Sequence, residues 1–258
     1  MTMEILHEEA ASRRHVAESD AAACAVVELR QYTLHAGRRD ELIELFEREF
    51  VESQEALGMR LFGQFRDLDN PDRFVWLRGF RDMPSRAEAL AAFYGGPIWK
   101  AHRDAANATM IDSDNVLLLR PAHAGSGFSH AHTARAAVGA EASAGGLVVA
   151  MVWQLPLRVG TDFLPWFERR TLPVLQEAGA TLLASFVSEN AANTFPALPV
   201  REGENVFVCF LAFDDAAHWD RHFGACTRTE NSPEPRRVTP SDPLILRLAP
   251  TPRSSLRG

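Results

Sequence analysis

Apolar and polar positions change period along the chain in a repeating order. VVELRQYTL, Val26 to Leu34, alternates. Val27 and Leu29 stand on one face and Val26, Glu28, Arg30 and Tyr32 on the other, the two-residue period of a strand. Beyond the turn HAGRRD, Leu42, Leu45, Phe46 and then Glu49 or Phe50 recur at helical spacing, with Asp40 as candidate cap and Gly58 as stop. Strands MRLFGQFRD and RFVWLRGFRD, helical segments reaching Thr109, and strand NVLLLRP follow. The result is the order β-α-β-β-α-β.

The same order returns in LVVAMVWQLPL, DFLPWFERRTLPVLQEA, ATLLASFVSE, a longer loop, NVFVCFLAFDD, AAHWDRHFG and PLILRLAP. Landmarks recur with it: Gly37 with Gly160, Phe46, Glu47 and Arg48 with Phe167, Glu168 and Arg169, and Gly58 with Gly179. Pro173 predicts a kink or break in the second copy's first helix. Each copy has the pattern of a ferredoxin-like split βαβ unit. Small residues dominate 122–146, which reads as a linker. The expected division is therefore a flexible N-terminal segment (1–22), a first domain (23–121), the linker (122–146), a second domain (147–250) and a tail (251–258).

Helices cover one face of such a sheet and leave the other bare. The other half is the obvious cover. The expected architecture is α+β: two fused ferredoxin-like halves forming an intramolecular α+β barrel, with helices outside and a chamber between the sheets. If Val27 and Leu29 face the helices, then Glu28, Arg30 and Tyr32 line that chamber. By the same count Met151, Trp153 and Leu155 line it from the opposite sheet.

The run VVELRQYTLHAGRRDELIELFE, the segment FVWLRGFRDMPSRAEALAAFYGGPIWKAH and NVLLLRP resemble the NIPSNAP family over about Val26 to Pro121. Residues 147–250 resemble a degenerate second copy, in which Met151, Trp153 and Leu155 replace Glu28, Arg30 and Tyr32. The resemblance implies a dimeric-type α+β barrel, a fold shared by cofactor-free oxygenases, haem enzymes and small-molecule binders. A fold of this kind does not by itself decide function.

One polar wall and one apolar wall make the arrangement of a small-molecule pocket. Arg30 could hold a carboxylate, enolate or phenolate, Tyr32 could donate a proton, and Glu28 could restrain the arginine or accept a proton. A Glu and an Arg two residues apart on one strand face are equally a structural ion pair, and both readings stay open. On the third strand Phe74, Trp76, Arg78 and Phe80 share one face, with Arg73, Val75 and Leu77 on the other; which face looks inward is not decided by alternation. Trp76 and Arg78 are candidate ligand contacts. In GGPIWKAH, Pro97 suits a first helical position, and Trp99 and His102 share a face, which makes His102 a candidate acid or base and Trp99 a candidate contact.

Composition narrows the choice. With 46% hydrophobic and 24% charged residues the chain can bury a substantial core. A net charge of −7 argues against nucleic acid as a partner. The expected partner is a small organic molecule, with a homodimer left open. No apolar run suits a membrane span and the N-terminus lacks the layout of a secretory signal, which points to the cytoplasm. Cys24, Cys209 and Cys226 are too scattered for a disulfide framework or a cysteine zinc site. His218 and His222 stand at i, i+4, and His130 and His132 lie in the linker, but no third zinc ligand accompanies them, so no metal is expected. No nucleotide loop, dinucleotide fingerprint or serine elbow is present. The reading favours a cofactor-independent enzyme performing proton transfer, rearrangement or oxygenation on a partly apolar, anionic or carbonyl-bearing substrate. A non-catalytic binding or assembly module and a haem-binding barrel are the alternatives.

Overall fold

A computed structural model describes residues 24–129, 135–141, 145–156, 163–226 and 242–257, of which 222–226 as backbone alone. The first half runs β1 (Val26–Leu34), α1 (Arg39–Leu45), a π-helical turn (Phe46–Phe50), α2 (Val51–Glu55), β2 (Arg60–Asp67), β3 (Arg73–Phe80), α3 (Met83–Gly95), α4 (Pro97–Asn107) and β4 (Met110–Pro121). The second runs β5 (Leu147–Gln154), α5 (Phe163–Trp166), a π-helical turn (Phe167–Thr171), α6 (Leu172–Glu177), β6 (Thr181–Ser188), β7 (Val206–Phe213), α7 (Ala216–Cys226) and β8 (Leu244–Pro250). Gly160, His130 and His132 lie outside the described residues, as do the side chains of His222 and Cys226.

The eight strands close into one antiparallel barrel in the order β1-β3-β2-β8-β5-β7-β6-β4. Within each half the order is fourth, first, third, second strand, the ferredoxin-like arrangement expected from the sequence. The halves join at two short seams. At one, Phe65 pairs with Pro250 and Asp67 with Leu248; at the other, Leu119 pairs with Ser188 and Pro121 with Phe186. Closure leaves no open sheet edge, so the barrel is completed within a single chain.

The barrel corrects which strand face looks inward. Val27, Leu29, Val75 and Leu77 share one apolar cluster with Val148, Val152, Val208 and Leu246 of the other half. They can meet only inside the barrel, which is therefore a packed core and not a chamber. Val26, Tyr32, Trp76 and Phe80 pack instead with Leu42, Phe46 and Leu90 of the first half's helices. Met151, Trp153 and Leu155 pack with Phe163 and Phe167 beneath the second half's helices. The physical reason is polarity. Val, Leu and the rings of Phe62, Phe65, Phe128, Phe186 and Phe210 fill the eight-stranded barrel, and the face that carries Glu28, Arg30 and Arg78 goes beneath the helices, where Gln54 and Arg86 meet it.

Local signals explain several element ends. Gly58 and Gly179 adopt φ of 83° and 86° just past the helices they terminate. Asp82 and Ser85 form a reciprocal capping box at the start of α3, with Asp82 Oδ1 accepting from Ser85 N at 2.7 Å and Ser85 Oγ from Asp82 N at 3.0 Å. Asp40 is not a cap: it lies in the first turn of α1 and accepts from Arg66 Nε at 2.9 Å. The interruption expected at Pro173 is the π turn immediately before it. The first half has the same turn without a proline, so Pro173 occupies a break that this helix makes anyway.

The connecting segments are tied to the barrel where they are described. Phe128, from the segment between the halves, places its ring 4.8 Å from that of Phe62 and 5.1 Å from those of Phe186 and Phe210. It is part of the barrel core. Past β8, the backbone N of Arg253 donates to Glu47 Oε1 at 2.9 Å, and its guanidinium bonds to the Glu52 carboxylate. Among the described residues no helix is long and apolar enough to cross a membrane.

Candidate functional site

The helix-facing side of β1 and β3 carries a buried cluster of charge. Cross-strand register pairs Glu28 with Arg78 and Arg30 with Trp76. Paired residues in an antiparallel ladder project to the same side, so all four side chains point beneath the helices. Arg86 descends onto them from the first turn of α3, whose start the capping box fixes. Glu28, Arg30, Arg78 and Arg86 are each 0% exposed.

One carboxylate serves three guanidiniums. Glu28 Oε2 accepts from Arg30 Nη1 at 2.8 Å and from Arg78 Nε at 2.7 Å, and Glu28 Oε1 accepts from Arg86 Nε at 2.7 Å. Arg78 Nη1 also donates to Gln54 Oε1 at 2.9 Å, and Gln54 in turn donates to the Phe50 carbonyl, where the π turn meets α2. Arg30 Nε donates to Tyr32 Oη at 3.0 Å. Because that oxygen accepts from arginine, the phenol's own hydrogen is left to donate elsewhere.

The cluster is not internally satisfied. The Nη2 atoms of Arg30, Arg78 and Arg86, and Nε1 of Trp76, are buried with no acceptor among the described residues. Register places Gln64 opposite Trp76 in the same cross-strand row as Arg30, and both its amide atoms also lack partners. Buried polar groups normally find partners, and an uncompensated buried charge costs several kcal/mol. Here three positive charges share one negative charge.

Aromatic rings pack against the guanidiniums. The Arg30 guanidinium lies 5.3 Å from the Tyr32 ring and 5.4 Å from that of Trp76. The Arg78 guanidinium lies 5.0 Å from Trp76, 5.5 Å from Phe80 and 6.0 Å from Tyr94. Ring faces offset part of the excess positive charge, but they accept no strong hydrogen bonds.

Titration follows from these contacts. Burial by itself would raise the Glu28 carboxyl; the charges of Arg78, Arg30 and Arg86, with the hydrogen bond from Arg86, outweigh it and hold the group well below the usual carboxylate range. Burial likewise opposes the charge on Arg30, but Tyr32 and Glu28 together raise its pKa above the ordinary arginine value. Tyr32 is shifted upward, chiefly by burial and against the pull of Arg30. At neutral pH Glu28 is therefore a carboxylate, Arg30 a guanidinium and Tyr32 a neutral phenol.

The structure brings together Glu28, Arg30, Tyr32, Trp76 and Arg78 of the residues singled out from sequence. Trp99 stands one layer away, its ring 4.9 Å from Tyr94 and 5.5 Å from Phe50, and buttresses Tyr94. His102 is not part of the cluster: its Nε2 lies 3.4 Å from Glu49 Oε2 and its ring edges onto Phe50. Met151, Trp153 and Leu155 belong to a separate core under the second half's helices and share no space with Arg30. They were expected opposite Arg30, and the inverted facing of both sheets sends them outward.

Several contributors escaped the sequence reading, Arg86, Asn193 and Thr194 among them. Arg86 stands one turn before Ala89 and Leu90 and two before Phe93, all buried; an arginine on the apolar stripe of a helix was the available signal. The others come from the β6–β7 loop of the second half, where Asn193 Oδ1 accepts from Arg86 Nη1 at 3.0 Å and Thr194 Oγ1 at 3.3 Å. No local pattern marks them. A separate cavity of about 180 Å³ lies on the second half between His123, Ser126, Phe167, Glu168 and Ser185. It is far poorer in charge, its ionisable pair being His123 and Glu168 at 3.5 Å.

The family model described as NIPSNAP matches residues 27–124. No curated protein sequence matches the chain. Among solved structures, a protein of Fusobacterium nucleatum provisionally named a monooxygenase is 10% identical, with a TM-score of 0.55 over 92% of this chain and 96% of its own. A second, from Lactobacillus acidophilus and provisionally named in the same way, is 12% identical, with a TM-score of 0.52 over 88% of this chain and 94% of its own. These two show the fold, and nothing beyond it. A NIPSNAP-like domain protein of Burkholderia xenovorans is 27% identical over 40% of this chain and 90% of its own, with a TM-score of 0.37.

Proposed function

Residues 27–124 are a NIPSNAP domain, and from that premise we propose that the protein binds a partly apolar organic anion, or a carbonyl compound that becomes one, beneath the helices of this domain. The observation that carries the reading is the sharing of Glu28 by Arg30, Arg78 and Arg86, with one Nη2 of each left over. A carboxylate, enolate or phenolate oxygen supplies what these atoms lack: negative charge and acceptor lone pairs. Trp76, Phe80 and Tyr94 supply apolar surface for the rest of the molecule.

The chemistry that suits these groups is stabilisation of an enolate or phenolate that arrives already ionised, followed by its protonation, as in a tautomerisation, or by its oxygenation with molecular oxygen. Preorganised guanidiniums in a dry site stabilise developing negative charge at no cost of reorganisation. Tyr32 is the proton donor in this reading. Glu28 is a restraint on the arginines, because its depressed pKa makes it a poor base. The names of the two whole-chain structural neighbours agree with the oxygenation branch without deciding it. The haem alternative draws no support from His102, which pairs with Glu49.

The test is retention from a mixture. The purified protein is incubated with a metabolite extract, desalted and examined by native mass spectrometry beside Arg30→Met. An acidic, conjugated molecule held by the parent and absent from the variant is the expected result. Equal retention by both proteins would overturn the reading.

A further inference from the structure

We propose that the β6–β7 loop, residues 189–205, is the gate of this site, and that Asn193 holds it shut by occupying Arg86 where a ligand's anionic oxygen would bind. The inference rests on the reading of the arginine cluster as an anion site. It adds that the second half, outside the NIPSNAP match, controls entry.

Between Asn190 and Val200 the loop makes three described hydrogen bonds to the first half, beside the apolar packing of Phe195, Leu198 and Val200 on its core. Arg86 Nη1 donates to Asn193 Oδ1 at 3.0 Å and to Thr194 Oγ1 at 3.3 Å, and the Thr194 hydroxyl donates to the Met83 carbonyl at 3.2 Å. Phe195 stacks on Tyr94 with centroids 5.9 Å apart and planes 21° from parallel. Tyr94 is the ring whose neighbours are Arg78 and Trp99. Lifting Phe195 and Asn193 would therefore uncover Tyr94 and free Arg86 in one movement.

The loop is also built to move as a piece. Asn193 N donates to Glu202 Oε1 at 3.0 Å, Asn193 Nδ2 to the Leu198 carbonyl at 3.0 Å, and Phe195 N to Asn193 Oδ1 at 3.0 Å. Its two ends are pinned to β4 by Glu189 N on the Leu118 carbonyl and Arg201 N on the Val116 carbonyl, each at 2.9 Å. Between these pins Thr194 is exposed and Asn193 and Phe195 are half-buried, which marks a segment of low local stability.

Chemistry explains why the latch can be displaced. Asn193 and Thr194 offer Arg86 neutral oxygens, whereas an anionic oxygen adds the opposite charge and can engage the guanidinium fork. An arriving anion outcompetes the amide, and the loop recloses with Phe195, Leu198 and Val200, which already pack on the first half's core, over the ligand's apolar part. Asn193 is thus a positioning residue that acts through Arg86.

The experiment uses the full chain and salicylate as probe. Stopped-flow binding to Asn193→Ala should show an association rate at least about tenfold above that of the parent, since the closed state loses the bond to Arg86 together with the two bonds that the Asn193 amide makes within the loop. Arg30→Met should instead lose affinity. Identical association rates for parent and Asn193→Ala would overturn the gate. Hydrogen exchange without any ligand decides the matter independently: the amides of Phe195 and Leu198 should exchange roughly a hundredfold faster than those of Leu29 and Leu77, and faster still in Asn193→Ala. Equal protection of loop and strands would overturn the gate. Failure of salicylate to bind the parent would strike the anion-site reading, and the exchange result would still decide whether the loop opens.

Discussion

Arg86 Nε donates to Glu28 Oε1 at 2.7 Å across the interface between α3 and the sheet. This bond makes Glu28 the common acceptor of guanidiniums from three elements, because Arg30 and Arg78 already share its other oxygen. The consequence is an asymmetry between the carboxylate, which nothing can replace, and the arginines, of which there is a surplus.

Glu28→Gln leaves three buried guanidiniums without a counter-charge. Breaking a buried pair from the side of its single partner costs about 3–5 kcal/mol. Urea unfolding should show a loss of that order, partly restored by sulfate when ionic strength is held constant with chloride. A variant as stable as the parent would mean that solvent reaches the cluster.

The Glu28 carboxyl also gives stability a pH signature. Its folded pKa lies well below the ordinary value of 4.5, so protons favour the unfolded chain. The stabilisation is fully present above about pH 4.5 and is lost as pH falls toward the folded value. Denaturant midpoints measured from pH 6 down to pH 3 should fall less steeply in Glu28→Gln than in the parent. Parallel curves would remove Glu28 from the acid limb.

Phe128→Ala should behave as a core mutation despite its place in a segment rich in small residues. Its ring touches Phe62, Phe186 and Phe210, which belong to both halves. A cost of about 3–5 kcal/mol in urea unfolding is expected, with one transition retained because the barrel core is shared. A cost below about 1 kcal/mol would show that the segment merely lies against the barrel.

Strand order and the pairing of the halves were legible because alternation and helical spacing recur twice in the same sequence of elements. The direction of the faces was not. Alternation in VVELRQYTL separates Val27 and Leu29 from Glu28, Arg30 and Tyr32, but only closure of the barrel decides which set lies within it. The composition of the cluster was half legible. Glu28, Arg30 and Arg78 announce themselves as charges on strands; Arg86 was missed although it stands on the apolar stripe of α3, and Asn193 lies 107 residues beyond Arg86 and meets it only through tertiary folding. The β-branched and leucine residues of the inner face carried the missing information. Together with Phe62, Phe65, Phe186 and Phe210 they form a dominantly apolar interior, and the charged side chains find partners beneath the helices.

The most direct test of the anion site is a pair of thermal melts on the parent, Arg30→Met and Arg78→Met, with and without salicylate at fixed ionic strength. Each variant still leaves Glu28 two guanidinium partners, so both should melt within a few degrees of the parent or above it, while the upward shift that salicylate gives the parent disappears. Variants that melt far below the parent and keep the salicylate shift would contradict the account, making the arginines structural and placing the ligand elsewhere.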